Sequence, residues 1–387
     1  MDQRLSVAIV GGGIGGLAAA NAMMRRGLKV TVFEQAPELG EVGAGVMLTP
    51  NCIRLLQRMD LGAEIDRLGA RITEGSSYRR RDGSVVGPIK TSDTAGQCGV
   101  YGMHRADLLT MLANRLPRDA VRTNHCCVGF SQDAQAARLS FANGETFEAD
   151  VVIAADGIHS RLQREVVEPA RPVFSGMVAY RGLVPADRLP QWRRDVHLIW
   201  MGEGKHFMVF PVRSGQLLNF VGFLPSDYAA EESWSGLGDA AALAQSFTGW
   251  EAPVEQILAK VEKPFWWGLF DREPLDHWTR GRLALLGDAA HAMLPHLGQG
   301  ANQSVEDAVA LAAMLARAQR SDVAQALVAY EQMRRPRAVK VQLGARANGR
   351  RYDSQYDDLA QRDAEIADAG TLRAWLYDYD VEKELGC

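Results

Sequence analysis

Five of the six residues from 11 to 16 are glycine (Gly11-Gly12-Gly13-Ile14-Gly15-Gly16), and what flanks them leaves the chain little choice of fold. Before them runs a short β-branched segment, Leu5 to Val10; after them Leu17 to Arg26 has helix-forming composition and stops at Gly27; Lys29 to Glu34 then reads as a second strand. Strand, tight turn, helix and strand make a βαβ unit, whose right-handed crossover builds a doubly wound parallel sheet. Gly11, Gly13 and Gly16 fall in register with G-x-G-x-x-G: the first permits the tight turn, the second lets backbone approach a pyrophosphate, and the third allows close helix packing. Glu34 lies about the 20 residues downstream at which such a unit carries an acid for ribose hydroxyls. Gly15 and Gln35, beside these positions, complete the expected nucleotide contacts.

The remaining properties bound the partner. At 387 residues, with ~150 per domain typical, two interlocked domains are expected. Hydrophobic residues at 47% and charged residues at 23% describe a folded globular chain, and 43 basic against 47 acidic residues give no field for nucleic acid or an anionic membrane. No apolar run approaches the ~18 residues of a membrane span, and no signal peptide is evident, so a cytoplasmic protein with a small-molecule partner is expected. Cysteines 52, 98, 126, 127 and 387 lack C-x-x-C spacing and read as reduced and structural, with no metal site. Oligomeric state is not legible.

Further strands are expected at Ser76 to Arg80, Arg138 to Phe141 and Asp150 to Ala155. From Pro172 to Phe270 alternating runs such as Val196 to Trp200 and His206 to Phe210, separated by turns, predict antiparallel sheet. Arg282 to Leu286 returns as a buried strand, and Ala308 to Arg317 and Val323 to Arg337 as helices. The expected division is a discontinuous nucleotide domain of residues 1–75, 98–171 and 275–340, an inserted antiparallel-sheet substrate domain of 76–97 and 172–274, and a helical appendix, 341–387.

Two more strands end in turns bearing an acid: Val151 to Ala155 delivers Asp156-Gly157, and Leu283 to Leu286 delivers Gly287-Asp288. Ligands of α/β sheets bind at such strand ends. In this order the three motifs resemble the single-component flavoprotein aromatic hydroxylases, which share the p-hydroxybenzoate hydroxylase fold. The segments Gly40 to Asn51, His104 to Leu108, Tyr180-Arg181-Gly182 and Asp271 to Pro274 resemble the branch acting on salicylate, 3-hydroxybenzoate and 6-hydroxynicotinate. The resemblance implies an α/β fold (α+β in its two-domain division) with a Rossmann-like FAD-binding domain, FAD as cofactor, NADH or NADPH as co-substrate with NADH favoured, and O2. It implies hydroxylation of a small hydroxy-aromatic or hydroxy-heteroaromatic carboxylate through a flavin C4a-hydroperoxide, decarboxylative where the attacked carbon carries the carboxylate.

By the same resemblance Asp288 meets the FAD ribityl hydroxyls, Arg105 the FAD chain, and Asp156 serves FAD and the nicotinamide donor. The loop Pro295 to Asn302, with Gly298, Gly300, Ala301 and Asn302, sets backbone N–H groups at a helix start beside the flavin ring, where an anionic reduced ring is stabilised. The family often carries arginine where this chain has Gln163. No second G-x-G-x-x-G is present, which argues against a separate nicotinamide domain.

A phenol is attacked more readily once deprotonated, so a group titrating near neutral pH is needed. His206 is the expected base, on one strand face with Met208 and Phe210, and His296 the second candidate. Because it opens a strand beside a turn, His206 is expected to add little to core packing. Met47, Arg181, Phe210, Phe223 and Pro295 are expected in the substrate pocket, with Trp200 and Trp267 as further candidates. An oxidase or epoxidase of a larger substrate, or a non-catalytic flavin-binding protein, are the alternatives.

Overall fold

The computed structural model describes residues 4–40, 44–168, 171–202, 204–226, 236–354, 356 and 358–386; Glu41, Val42, Gly43 and Cys387, which the motif and cysteine readings include, lie outside them. A six-stranded sheet carries the expected βαβ unit. Its order is Thr279–Arg280, Leu283–Leu285, Val151–Ala154, Ser6–Val10, Lys29–Phe33 and Val121–Arg122, all parallel except the first. Val7 sits opposite Val30 on one side and Val151 on the other. From Val7 to Val10 this central strand is buried on both faces, which is why those four residues read as a continuous apolar run rather than an alternating one. The helix Ile14–Arg25 packs on the helix Gly300–Ala316, and alanines along both let the backbones approach.

The second sheet has eight strands, in the order Gly236–Leu237, Phe265–Asp271, Val173–Pro185, Leu217–Pro225, Lys205–Val212, Leu198–Gly202, Ser77–Arg80 and Val85–Pro88. It is antiparallel except where Leu198–Gly202 runs alongside Ser77–Arg80. Alternation sorts its residues: Phe207, Val209, Phe220 and Trp200 pack under the helices Ala240–Ser246 and Ala252–Leu258, while His206, Met208, Phe210 and Phe223 face the nucleotide half. Trp200 therefore lies on the far side of the sheet from the position expected of a pocket residue.

The chain beyond residue 340 is helical, as expected, and packs into the rest of the molecule. The helix Val323–Tyr352 runs unbroken through both Pro336 and the expected boundary at 340, and is followed by Leu359–Ala367, Gly370–Tyr377 and Val381–Glu384. These elements are tied into both halves. Arg334 pairs with Glu306 and Asp307, Arg337 also pairs with Glu306, and Arg58 holds Asp380 at 2.7 Å. Buried Arg373 donates to the hydroxyls of Tyr78, Tyr377 and Tyr352 at 2.8, 3.0 and 3.2 Å.

Candidate active site

A cavity of about 630 Å³ runs between the two sheets, within the range of small-molecule sites. At its nucleotide end the glycine turn is forced by sterics. Gly11 has φ +111°, and a Cβ there would stand 2.1 Å from the Ala155 carbonyl oxygen. Gly11, Gly13, Gly15, Glu34 and Gln35 line this end, whereas Gly16 packs behind it against Gly11. Glu34 is already braced, its two carboxylate oxygens accepting the N–H of Gly12 at 2.7 Å and of Ala36 at 2.8 Å. Those bonds aim it along the turn and leave lone pairs for a ligand hydroxyl.

Asp156 projects from the end of Val151–Ala154. One oxygen accepts the Arg161 N–H at 2.8 Å; the other is buried without a partner among the described residues, and burial pushes the carboxyl above its ordinary range. Asp288 lines the cavity from the neighbouring strand end, and Arg105 approaches from across it; burial pushes the Arg105 guanidinium down while Asp288 acts the other way. Gln163 points away, donating to the Ala289 carbonyl at 2.8 Å.

Gly298, at φ +63°, turns the chain into the helix Gly300–Ala316, whose first residues Gly300 and Ala301 line the cavity. Asn302 does not: it is fully buried, accepting the Thr49 N–H at 2.8 Å and donating to the carbonyls of Met47 and Gly298 at 2.9 and 2.8 Å, so it braces two walls against each other. A glycine cradle, an orphaned buried carboxylate oxygen and a helix N-terminus facing an elongated cavity together fit FAD.

The far end is apolar, formed by Met47, Met208, Phe210, Phe223, Trp267 and Pro295. Two polar groups interrupt it. Arg181 lies 4.5 Å over the Trp267 ring, and burial, reinforced by Arg105, pushes its guanidinium down to about 10. Asn219, which the sequence reading missed, accepts the Gly45 N–H at 2.7 Å through Oδ1, while its buried Nδ2 has no partner among the described residues. A lone amide in the otherwise apolar run Leu217–Phe223 was the available signal.

His206 and His296 are brought together but do not line the cavity. Their rings lie 5.2 Å apart, and Phe223, which does line it, stacks on His206 at 4.0 Å and tilts against His296 at 5.1 Å. The position at a strand start is misleading: His206 is 0% exposed and is part of the core. Burial and then the neighbouring His206 push His296 well below the ordinary histidine value. Asp353 meets His206 at 2.6 Å, a partner no local pattern pointed to.

The FAD binding domain family matches residues 4–344. The 3-amino-4-hydroxybenzoate 2-monooxygenase of Streptomyces platensis is 36% identical over 98% of this chain and 97% of its own length. The salicylate hydroxylase of Pseudomonas putida is 33% identical over 98% and 94%. The 6-hydroxynicotinate 3-monooxygenase of Bordetella bronchiseptica is 31% identical over 99% and 97%. Among solved structures, a salicylate hydroxylase substrate complex superposes with a TM-score of 0.86 at 30% identity, covering 99% of this chain and 98% of that one.

Proposed function

Because this chain belongs to the FAD binding domain family, in the company of monooxygenases that hydroxylate aromatic rings, we propose that it hydroxylates a small hydroxy-aromatic or hydroxy-heteroaromatic carboxylate, with NADH or NADPH as reductant. It is an FAD-dependent aromatic monooxygenase. The observation that carries the substrate reading is the two-ended cavity, acidic and glycine-lined at one end, aromatic and carrying one buried arginine at the other. Bound FAD, once reduced, supplies the activation of O2.

The chain's own residues do the rest. Glu34 accepts from ribose hydroxyls, Asp156 and Asp288 engage the cofactor chain, and the helix start at Gly300 and Ala301 sets positive potential beside the flavin ring. Arg181 attracts the substrate carboxylate, and its seat on Trp267 keeps the planar guanidinium oriented. Met47, Phe210, Phe223 and Pro295 hold the ring and exclude water. His206, with His296 beside it, accepts the proton of the ring hydroxyl. On this reading 1–75, 98–171 and 275–340 hold the cofactor and 76–97 with 172–274 shape the substrate end.

The test is a panel of salicylate, 3- and 4-hydroxybenzoate, 6-hydroxynicotinate, anthranilate and 3-amino-4-hydroxybenzoate, scored by stimulated NADH and NADPH oxidation and by product mass. A gain of one oxygen, with or without loss of CO2, is the expected result. Reductant consumption that no aromatic carboxylate stimulates counts against the reading.

A further inference from the structure

His206 is held by a segment far from it in sequence. Its Nδ1 lies 2.6 Å from Oδ1 of Asp353, 147 residues away, and both side chains are almost wholly enclosed. A carboxylate only accepts, so Nδ1 carries the hydrogen that faces Asp353, and in the neutral ring the lone pair is then on Nε2. That Nε2 has no partner among the described residues. This is the tautomer that a proton acceptor requires, fixed before any substrate arrives.

We propose that Asp353 is a positioning residue for His206, so that the segment following the helix Val323–Tyr352 completes the catalytic site. The proposal rests on the reading of His206 as the base. The balance is simple: the ring hydroxyl O–H breaks, its proton bonds to Nε2, and the product pair is a phenolate and an imidazolium that faces the Asp353 carboxylate.

The surroundings keep this pair isolated and still. Besides Asp353, the groups facing His206 are His296 from the loop at Pro295 and Tyr352, whose ring lies 5.3 Å away; behind Tyr352 stands Arg373. His296, depressed by burial and by its neighbour, stays neutral and does not compete for the carboxylate. Asp353 is anchored on its own account, its N–H bonding the Gly349 carbonyl at 2.9 Å. Arg373 clamps Tyr352 to Tyr78, which belongs to the same eight-stranded sheet as His206. Phe223, stacked on His206, lines the cavity where His206 does not, so the proton passes this ring to reach Nε2.

The test compares wild type with Asp353→Asn, with Asp353→Glu as the charge-retaining control and His206→Gln as the control for the base, all as FAD-loaded protein. Salicylate, 4-hydroxybenzoate, 6-hydroxynicotinate and 3-amino-4-hydroxybenzoate are each titrated in without reductant, and ultraviolet difference spectra report whether the bound ring hydroxyl is ionised. Wild type and Asp353→Glu are expected to bind the ionised form at neutral pH and Asp353→Asn the neutral form, with FAD retention unchanged. In turnover, Asp353→Asn loses ~10-fold or more in kcat at nearly constant KM, recovered as pH rises and the hydroxyl ionises unaided. If His206→Gln abolishes the ionised band while Asp353→Asn keeps it, this proposal is overturned and the base stands; if His206→Gln keeps it too, the reading of the base falls first. A readout free of substrate is the 15N-histidine spectrum of the ligand-free holoenzyme, where a His206 ring protonated at Nε2 instead of Nδ1 overturns the proposal.

Discussion

The carbonyl oxygen of Gly11 and the Cα of Gly16 approach so closely that a Cβ on Gly16 would stand 2.0 Å from that oxygen. Both partners are backbone, so nothing flexible can yield. Gly16→Ala is therefore expected to force the cradle open, destabilising by about 1–3 kcal/mol as overpacking does and releasing FAD. Melting temperature and the flavin absorbance retained on gel filtration check it; a yellow variant of wild-type stability contradicts the packing argument.

Glu34→Ala removes the brace of the glycine turn together with the proposed ribose acceptor. Each lost charge-assisted hydrogen bond is worth about 1.5–3 kcal/mol, so FAD affinity is expected to fall by ~10-fold or more, read by flavin fluorescence titration. The order of preference among aromatic substrates is expected to stay as in wild type, because the proposed place of the reacting ring is the other end of the cavity. Altered preference at normal FAD affinity would show that Glu34 does not face the ribose.

Glu306 is fully buried and neutralises two arginines, lying 2.7 Å from Arg334 and 2.8 Å from Arg337. Glu306→Ala leaves guanidinium charge enclosed and under-compensated, which costs about 3–5 kcal/mol. Denaturant unfolding measures it, and a loss below about 1 kcal/mol would mean that Asp307 alone balances the cluster.

His197 supplies a pH dependence. Burial, with Arg373 adding to it, pushes its imidazole down to about 3 from the ordinary 6.5. The unfolded chain takes up the proton near 6.5 and the folded chain does not, so stability is complete above that pH and is lost as pH falls from about 6.5 toward 3, at up to ~1.4 kcal/mol per pH unit. Between pH 7 and 5 wild type is expected to lose stability more steeply than His197→Leu as pH drops. Parallel curves would remove His197 from the account.

His206→Ala is expected to lower stability by about 3 kcal/mol or more, since it strips the Asp353 carboxylate of its imidazole and opens a void under Phe223. Calorimetric melting decides, and an unchanged melting temperature contradicts the burial. The opposite expectation, from the position of His206 beside a turn, fails for a physical reason. Strand position says nothing about what a distant segment lays over it.

That contrast runs through the molecule. The glycine turn and Glu34 were legible because their constraints are local: a turn, a helix start and a strand end within one βαβ unit. Alternation in Lys205–Val212 likewise disclosed which residues share the cavity face. The bracing role of the Asn302 side chain is not legible, because backbone N–H groups at the helix start and a side chain tying Thr49 to Gly298 occupy neighbouring positions in one motif. The helix through Pro336 and the pairing of Asp353 with His206 depend on tertiary packing, which carries no period that a reader of sequence can follow.

The central strand Ser6–Val10 carries a further consequence, for how the molecule comes into being. One of its neighbours, Val151–Ala154, lies 144 residues on, measured from Ser6 to Asp150, and the strand beyond that, Leu283–Leu285, comes later still. A chain leaving the ribosome in order holds its first strand half-paired while more than a third of the protein is made, and the helix start at Gly300 arrives after that. Such long-range parallel pairing is slow. Cofactor loading therefore awaits a chain about three-quarters made, and until the partner strand arrives the open edge of Ser6–Val10 is a surface for a chaperone to cover.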